Sequence, residues 1–157
     1  MQKIFILILC CPILYTGANT MEVNNEVKKV IYQYAEIVDS RSFDKLESIM
    51  WPDFSMTGGY DLKGIEGFMG AMDYLVSQYV STMHLIGNID GSWEGDTFKG
   101  KTYCIASHIF EDNGEMKKLD MGIIYEDTLV RRDGAIKFLN RNFNLQWQKT
   151  EILDSIK

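Results

Sequence analysis

The chain has 157 residues, 46% of them apolar and 12% aromatic, with 22 acidic against 16 basic side chains. That is enough for one domain with a packed core, which excludes disorder as the main state. A formal charge of -6 without a basic cluster argues against nucleic acid and anionic membrane surfaces as partners. In chain order, Met1-Gln2-Lys3, the apolar run from Ile4 to Tyr15 and the small residues Thr16-Gly17-Ala18 read as a secretory signal over 1–18. The run falls short of the ~20 residues a membrane span needs. A signal implies a secreted or periplasmic protein; the alternative is a cytoplasmic one starting at Met21. The domain is expected over 22–150. Of the three cysteines, Cys10 and Cys11 lie in the leader, so Cys104 has no partner for an internal disulfide or a thiolate metal site and reads as a small buried hydrophobe.

From Glu22 to Asp39, Val27, Val30, Ile31, Tyr34 and Val38 recur at three- and four-residue steps, which predicts an amphipathic helix. Ser42 can cap a second, short helix holding Phe43, Leu46, Ile49 and Met50, and Pro52 bars its continuation. Phe54–Thr57 reads as a short strand closed by Gly58-Gly59. A third helix follows Gly64, with Ile65, Phe68, Met69, Met72, Leu75 and Tyr79 on its apolar side. After His84 the pattern alternates. It predicts strands over 82–90, 97–112, 116–131 and 135–148, separated by turns at Asp90-Gly91, Asn113-Gly114 and Asp133-Gly134. Three helices and then consecutive strands joined by tight turns predict an α+β fold, the helices packed on one face of a curved antiparallel sheet.

Strand alternation then sorts the side chains. In the last strand Leu139, Arg141, Phe143, Leu145 and Trp147 share one side, and Asn140, Asn142, Asn144 and Gln146 the other. Arg141 is the single charge on the apolar side. It demands either a core carboxylate or a ligand, since an unpaired buried charge costs several kcal/mol. Thr102, Cys104, Ala106, His108 and Phe110 share a side of an earlier strand, where small Cys104 and Ala106 leave room beside His108. His84 shares a side with Ile86 and Asn88. Both histidines of the chain thus fall in strands, beside one inward arginine, which points to a shared polar pocket.

These segments resemble a known family. Tyr34 through Leu46 (YAEIVDSRSFDKL) resembles the first-helix signature of the SnoaL-like branch of the nuclear transport factor 2-like superfamily. Trp51-Pro52-Asp53-Phe54 resembles its entry to the first strand, Thr82–Asn88 its histidine-bearing strand, and Tyr125–Arg131 with Asp133-Gly134 and Ile136–Arg141 its final hairpin. The resemblance implies a cone-shaped α+β barrel enclosing a pocket, and a homodimer. Among the enzymes of the superfamily it runs closest to scytalone dehydratase and bile-acid dehydratase. It assigns catalysis to Asp39, His84, Tyr34 and His108, and substrate binding to Arg141, Tyr125, Trp51 and Phe143. Val38 departs from the pattern, standing where scytalone dehydratase has a tyrosine.

The chemistry of that set is proton transfer. A histidine titrating near ~6.5 can take a proton at neutral pH, and a carboxylate on its other nitrogen fixes the tautomer. Such a base can remove a proton α to a carbonyl while a tyrosine, a histidine or an arginine stabilises the enolate. The class implied is a dehydratase-like lyase or isomerase acting on an apolar small molecule, with no metal or organic cofactor required. The alternative is a non-catalytic ligand-binding or dimerisation module of the same fold.

Overall fold

The computed structural model describes residues 25–154. The expected leader over 1–18, the alternative start at Met21 and the first residues of the predicted helix lie outside them. Helix α1 (Asn25–Asp39) buries Val27, Val30, Ile31, Tyr34, Ala35, Ile37 and Val38 along the predicted stripe. It ends in a Schellman motif: the Ser42 amide reaches the Ile37 carbonyl at 3.0 Å and the Arg41 amide the Val38 carbonyl at 3.4 Å. The second predicted helix is a 3₁₀ turn over Phe43–Ser48, and Ser42 makes no side-chain cap. Met50 already belongs to strand β1 (Met50–Thr57), which starts earlier than its alternation suggests because Pro52 sits in a register break between Met50 and Ser55. There the missing proline N–H leaves no ladder bond unmade. A two-residue strand β2 (Leu62–Lys63), not foreseen, pairs with β1 and leads into helix α2 (Gly64–Gln78), which buries Phe68 and Met72.

Four long strands follow: β3 (Ser81–Glu94), β4 (Thr97–Asp112), β5 (Glu115–Arg132) and β6 (Ala135–Ile152). They form the expected antiparallel meander, and β1 joins it in parallel beside β6, giving the sheet order β2-β1-β6-β5-β4-β3. Asn113-Gly114 and Asp133-Gly134 are indeed tight turns, all four residues having positive φ as a type I′ hairpin requires. Asp90-Gly91 is not a turn. Gly91 pairs with Gly100 across the ladder, and the chain reverses at Gly95-Asp96. Both glycines are there to admit Phe98: a Cβ at Gly91 would come within 2.5 Å of that ring.

Three bulges correct the facing of side chains. Leu139 is an extra residue of β6 against β5, so inward facing passes from Ile136 and Phe138 to Arg141 and Phe143, and Leu139 itself is not on Arg141's side. Gln146 is a second extra residue. It leaves Leu145 opposite inward Ile123 but turns Trp147 to the outer face, over Gly122. In β3 the irregularity between Ile86 and Ile89 likewise removes Asn88 from the side shared by His84 and Ile86. The helices pack on the inner face of the curved sheet, and Tyr34, Phe54, Phe68, Phe98 and Phe138 belong to the core between them. Among the described residues no helix is long and apolar enough to cross a membrane.

Candidate active site

The inner face, α1 and α2 enclose a cavity of about 310 Å³. Its polar end is built from α1 and the edge strand β3. Asp39 is the last residue of α1, a carboxylate at a helix C-terminus, where the macrodipole disfavours it. Other groups compensate. The backbone N–H of His84, on the open edge of β3, donates to Asp39 Oδ2 at 2.7 Å. His84 Nδ1 lies 2.7 Å from Asp39 Oδ1, and the Thr82 hydroxyl donates to the same oxygen at 3.0 Å. Partial burial pushes the Asp39 carboxyl up, but the hydrogen bonds and charge of His84 outweigh that and hold it below the ordinary range. With Nδ1 engaged, Nε2 is the nitrogen that His84 has left for the pocket.

His108, on β4, is the second polar group. Its ring centroid stands 6.0 Å from that of His84 and 4.6 Å from that of Tyr79. Burial, then the proximity of His84, pushes its pKa down to about 4, so the ring is neutral at physiological pH. Tyr34 and Tyr125 complete the inner wall. Burial raises Tyr34 to about 12 against the opposing charge of Arg141, and raises Tyr125 as well, so both hydroxyls stay protonated donors. Cys104 is also pushed up by burial, to about 12, which leaves it a thiol packed in the core.

The cavity therefore brings together Tyr34, His84, His108, Tyr125 and Phe143, with Asp39 behind His84. Two expected binding residues lie elsewhere. Arg141 is fully buried and gripped by Asp127, Nε to Oδ1 at 2.7 Å and Nη2 to Oδ2 at 2.9 Å, while Thr102 donates to Asp127 Oδ2 at 2.7 Å. Its guanidinium carbon sits 4.2 Å from the Tyr34 and Tyr125 ring centroids, beneath the cavity rather than in it. Of the two readings open for this arginine, the core carboxylate is the one realised. Trp51 lies away from the cavity: its indole N–H donates to the Val130 carbonyl at 2.9 Å, and Arg132 and Lys137 lie over its ring. Strand alternation puts it on the opposite side of β1 from the inward series of Met50, Phe54 and Met56.

Sequence reasoning missed the rim and the support of the site. Tyr60, Tyr74 and Tyr79 line the cavity from the β1–β2 connection and the end of α2. Their signal was available in Tyr60 directly after Gly58-Gly59 and in Tyr74 and Tyr79 at the end of a helical stripe. Among the described residues, none of those lining the cavity is Asp, Glu, Lys or Arg, and no group of three or more His, Cys, Asp or Glu is set to hold a metal ion.

Comparison with known proteins decides the family. A SnoaL-like domain profile matches residues 19–142. The chain belongs to the SnoaL-like family, within the nuclear transport factor 2-like superfamily. An uncharacterised protein of Mycobacterium tuberculosis is 25% identical over 120 residues, covering 74% of this chain and 80% of its own length. A scytalone dehydratase candidate from Novosphingobium aromaticivorans shares the fold with a TM-score of 0.72 at 16% identity, over 80% of this chain and 85% of that one. Hexachlorocyclohexane dehydrochlorinase LinA-type3 from Novosphingobium barchaimii does so with a TM-score of 0.72 at 21% identity, over 84% and 90%. In this SnoaL-like chain the curved sheet stays open, and the pocket is the feature its family uses to hold small molecules.

Proposed function

We propose that this chain is a cofactor-independent lyase or isomerase of the dehydratase type, acting on an uncharged, apolar ring compound. The observation that carries the reading is the Asp39–His84 pair at the polar end of a cavity whose lining is mainly aromatic, methionine and aliphatic, with Gln148 and no Asp, Glu, Lys or Arg. A charged substrate would leave its hydration shell and find no counter-ion there. A neutral ring finds tyrosine and phenylalanine faces on several sides, among them Tyr34, Tyr60, Phe68, Tyr125 and Phe143.

In the proposed reaction His84 Nε2 takes a proton from the carbon next to the substrate carbonyl. The C–H electron pair moves into the ring as an enolate, whose oxygen accepts a hydrogen bond from the Tyr34 hydroxyl. The enolate re-forms the carbonyl, a carbon–carbon double bond forms, and the β-hydroxyl leaves. It takes the proton from the His84 imidazolium and departs as water. Neutral His108 hydrogen-bonds the leaving oxygen. Asp39 stabilises the imidazolium between the two proton transfers. Two of the structural neighbours carry names that denote eliminations, a dehydratase and a dehydrochlorinase, which favours this class.

The competing reading, a binding module without catalysis, draws on Arg141: this buried cation is paired with Asp127 and does not line the cavity. One experiment separates the two. Substrates are found by incubating the protein with a panel of cyclic β-hydroxyketones and reading loss of water by mass spectrometry. Asp39→Asn, His84→Ala and the double variant are then assayed and melted. A catalytic dyad lowers kcat by roughly 10²-fold or more in each single variant and little further in the double. A binding module yields no turnover in any form, and the substitutions change melting temperature and ligand affinity only.

A further inference from the structure

Residue 41 occupies the C′ position of the Schellman motif that ends α1, with φ of 60°. Glycine is the usual residue there, because a Cβ in the left-handed region crowds the following carbonyl oxygen. This chain instead carries an arginine. Its Nη1 folds back to donate to the Val38 carbonyl at 3.1 Å and to the Thr82 hydroxyl oxygen at 2.9 Å. Its Nη2 is buried and, among the described residues, has no hydrogen-bond partner. An arginine that accepts left-handed strain and an unmatched donor is poorly explained as a helix cap, since glycine would end the helix without either cost.

The donor inventory gives the arrangement a direction. Arginine has donors only, so Thr82 must accept from Arg41. A threonine hydroxyl has one proton, and with its oxygen engaged by Arg41 that proton goes to Asp39 Oδ1, 3.0 Å away. Asp39 then receives three N–H or O–H groups, from Thr82, His84 Nδ1 and the His84 amide. Such a carboxylate is kept ionised and immobile. The groups around it are Arg41 beyond the helix end, Thr82 and His84 on β3, and His108 behind His84 on β4.

We infer that Arg41 and Thr82 are positioning residues, a relay in which the guanidinium orients the threonine hydroxyl and the hydroxyl orients Asp39 against His84. The inference rests on the proposed role of His84 as the base. Its test reads the carboxylate itself and so stands apart from turnover. The Asp39 carboxyl is titrated by carbon-detected NMR in the full chain and in three variants, each also melted. Thr82→Val cuts the relay but leaves the Arg41 bond to Val38 in place, and raises the Asp39 midpoint by about one pH unit. Thr82→Ser keeps the hydroxyl and restores the wild-type midpoint. Arg41→Gly suits the left-handed backbone, keeps the fold and also raises the midpoint. A midpoint unmoved in Thr82→Val and Arg41→Gly, with only the melting temperature changed, makes Arg41 a helix cap and overturns the relay. Should Thr82→Val not fold, Thr82→Ala takes its place, because Arg41→Gly also removes a cation that acts on Asp39 directly. Absence of turnover with a shifted midpoint leaves the relay standing and removes only the reaction assigned to it.

Discussion

Asp39 binds His84 twice, Oδ1 facing the ring Nδ1 and Oδ2 the backbone amide, each at 2.7 Å. The double hold ties the imidazole to the strand that carries it, and ring rotation would break the Nδ1 contact while the amide one remained. The neutral ring is expected to carry its proton on Nδ1. Nitrogen-detected NMR of histidine-labelled protein checks this: a protonated Nδ1 and bare Nε2 in the wild type, and a mixture of tautomers in Asp39→Ala, where nothing fixes the ring. A bare Nδ1 in the wild type would remove the basis for Nε2 as the proton acceptor.

The Asp127–Arg141 pair makes the second prediction. Both side chains are shielded from solvent, and Asp127 holds Arg141 protonated even though burial works against the charge. Removing one partner strands the other. Asp127→Ala is expected to cost about 3–5 kcal/mol in chemical denaturation, whereas Asp127→Leu combined with Arg141→Met costs less than either single change. A pocket cation would instead tolerate the loss of Asp127 and lose ligand when Arg141 is changed.

His108 sets a pH window. Its folded pKa, pushed down to about 4 by burial and by His84, lies below the ~6.5 of an unfolded histidine. Between those values the unfolded chain binds the extra proton. The stability His108 allows is complete above pH ~6.5 and declines as pH falls toward 4, by about 2 kcal/mol once screening is allowed for. Asp39, depressed rather than raised, contributes its loss lower, below the ~3.9 of an unfolded aspartate. Urea denaturation from pH 7 to 4.5 is expected to give a flatter profile for His108→Gln than for the wild type, and parallel profiles would contradict the assignment.

The outer face of the sheet supplies the fourth. Leu85, Tyr103, Ile105 and Trp147 are each more than two-fifths exposed around one shallow groove of that face. Apolar groups gathered this way are the kind of surface that the homodimer implied by the family resemblance would cover. Light scattering at micromolar concentration is expected to give twice the chain mass, and Ile105→Asp a single-chain species with an unchanged circular dichroism spectrum. A monomeric wild type ends the assignment.

Much of this was legible in residue order because it depends on neighbours in the chain. The stripe of α1, the Asn113-Gly114 and Asp133-Gly134 turns and the side shared by Cys104, Ala106 and His108 are local facts, and they hold. What failed depends on partners far away. Asp90-Gly91 has turn composition, yet its glycine answers a ring on the next strand. Trp51 faces away from the cavity, and what holds its indole there is the Val130 carbonyl, 79 residues on. Arg41 could be seen as an odd residue after a helix, but its contact with Thr82, 41 residues on, exists only once β3 lies beside the end of α1.

The bulge at Leu139 has a consequence for how this sheet can change. A single deletion in a regular strand inverts every side chain beyond it. Here the extra residue has already been absorbed, so losing Leu139 leaves Phe138 and Arg141 on the faces they now occupy against β5. What goes is the local bend, since a bulge increases twist and curvature. Losing Leu139 is thus expected to relax the bend of β6 beside Phe138 while Arg141 and Phe143 keep the faces they have.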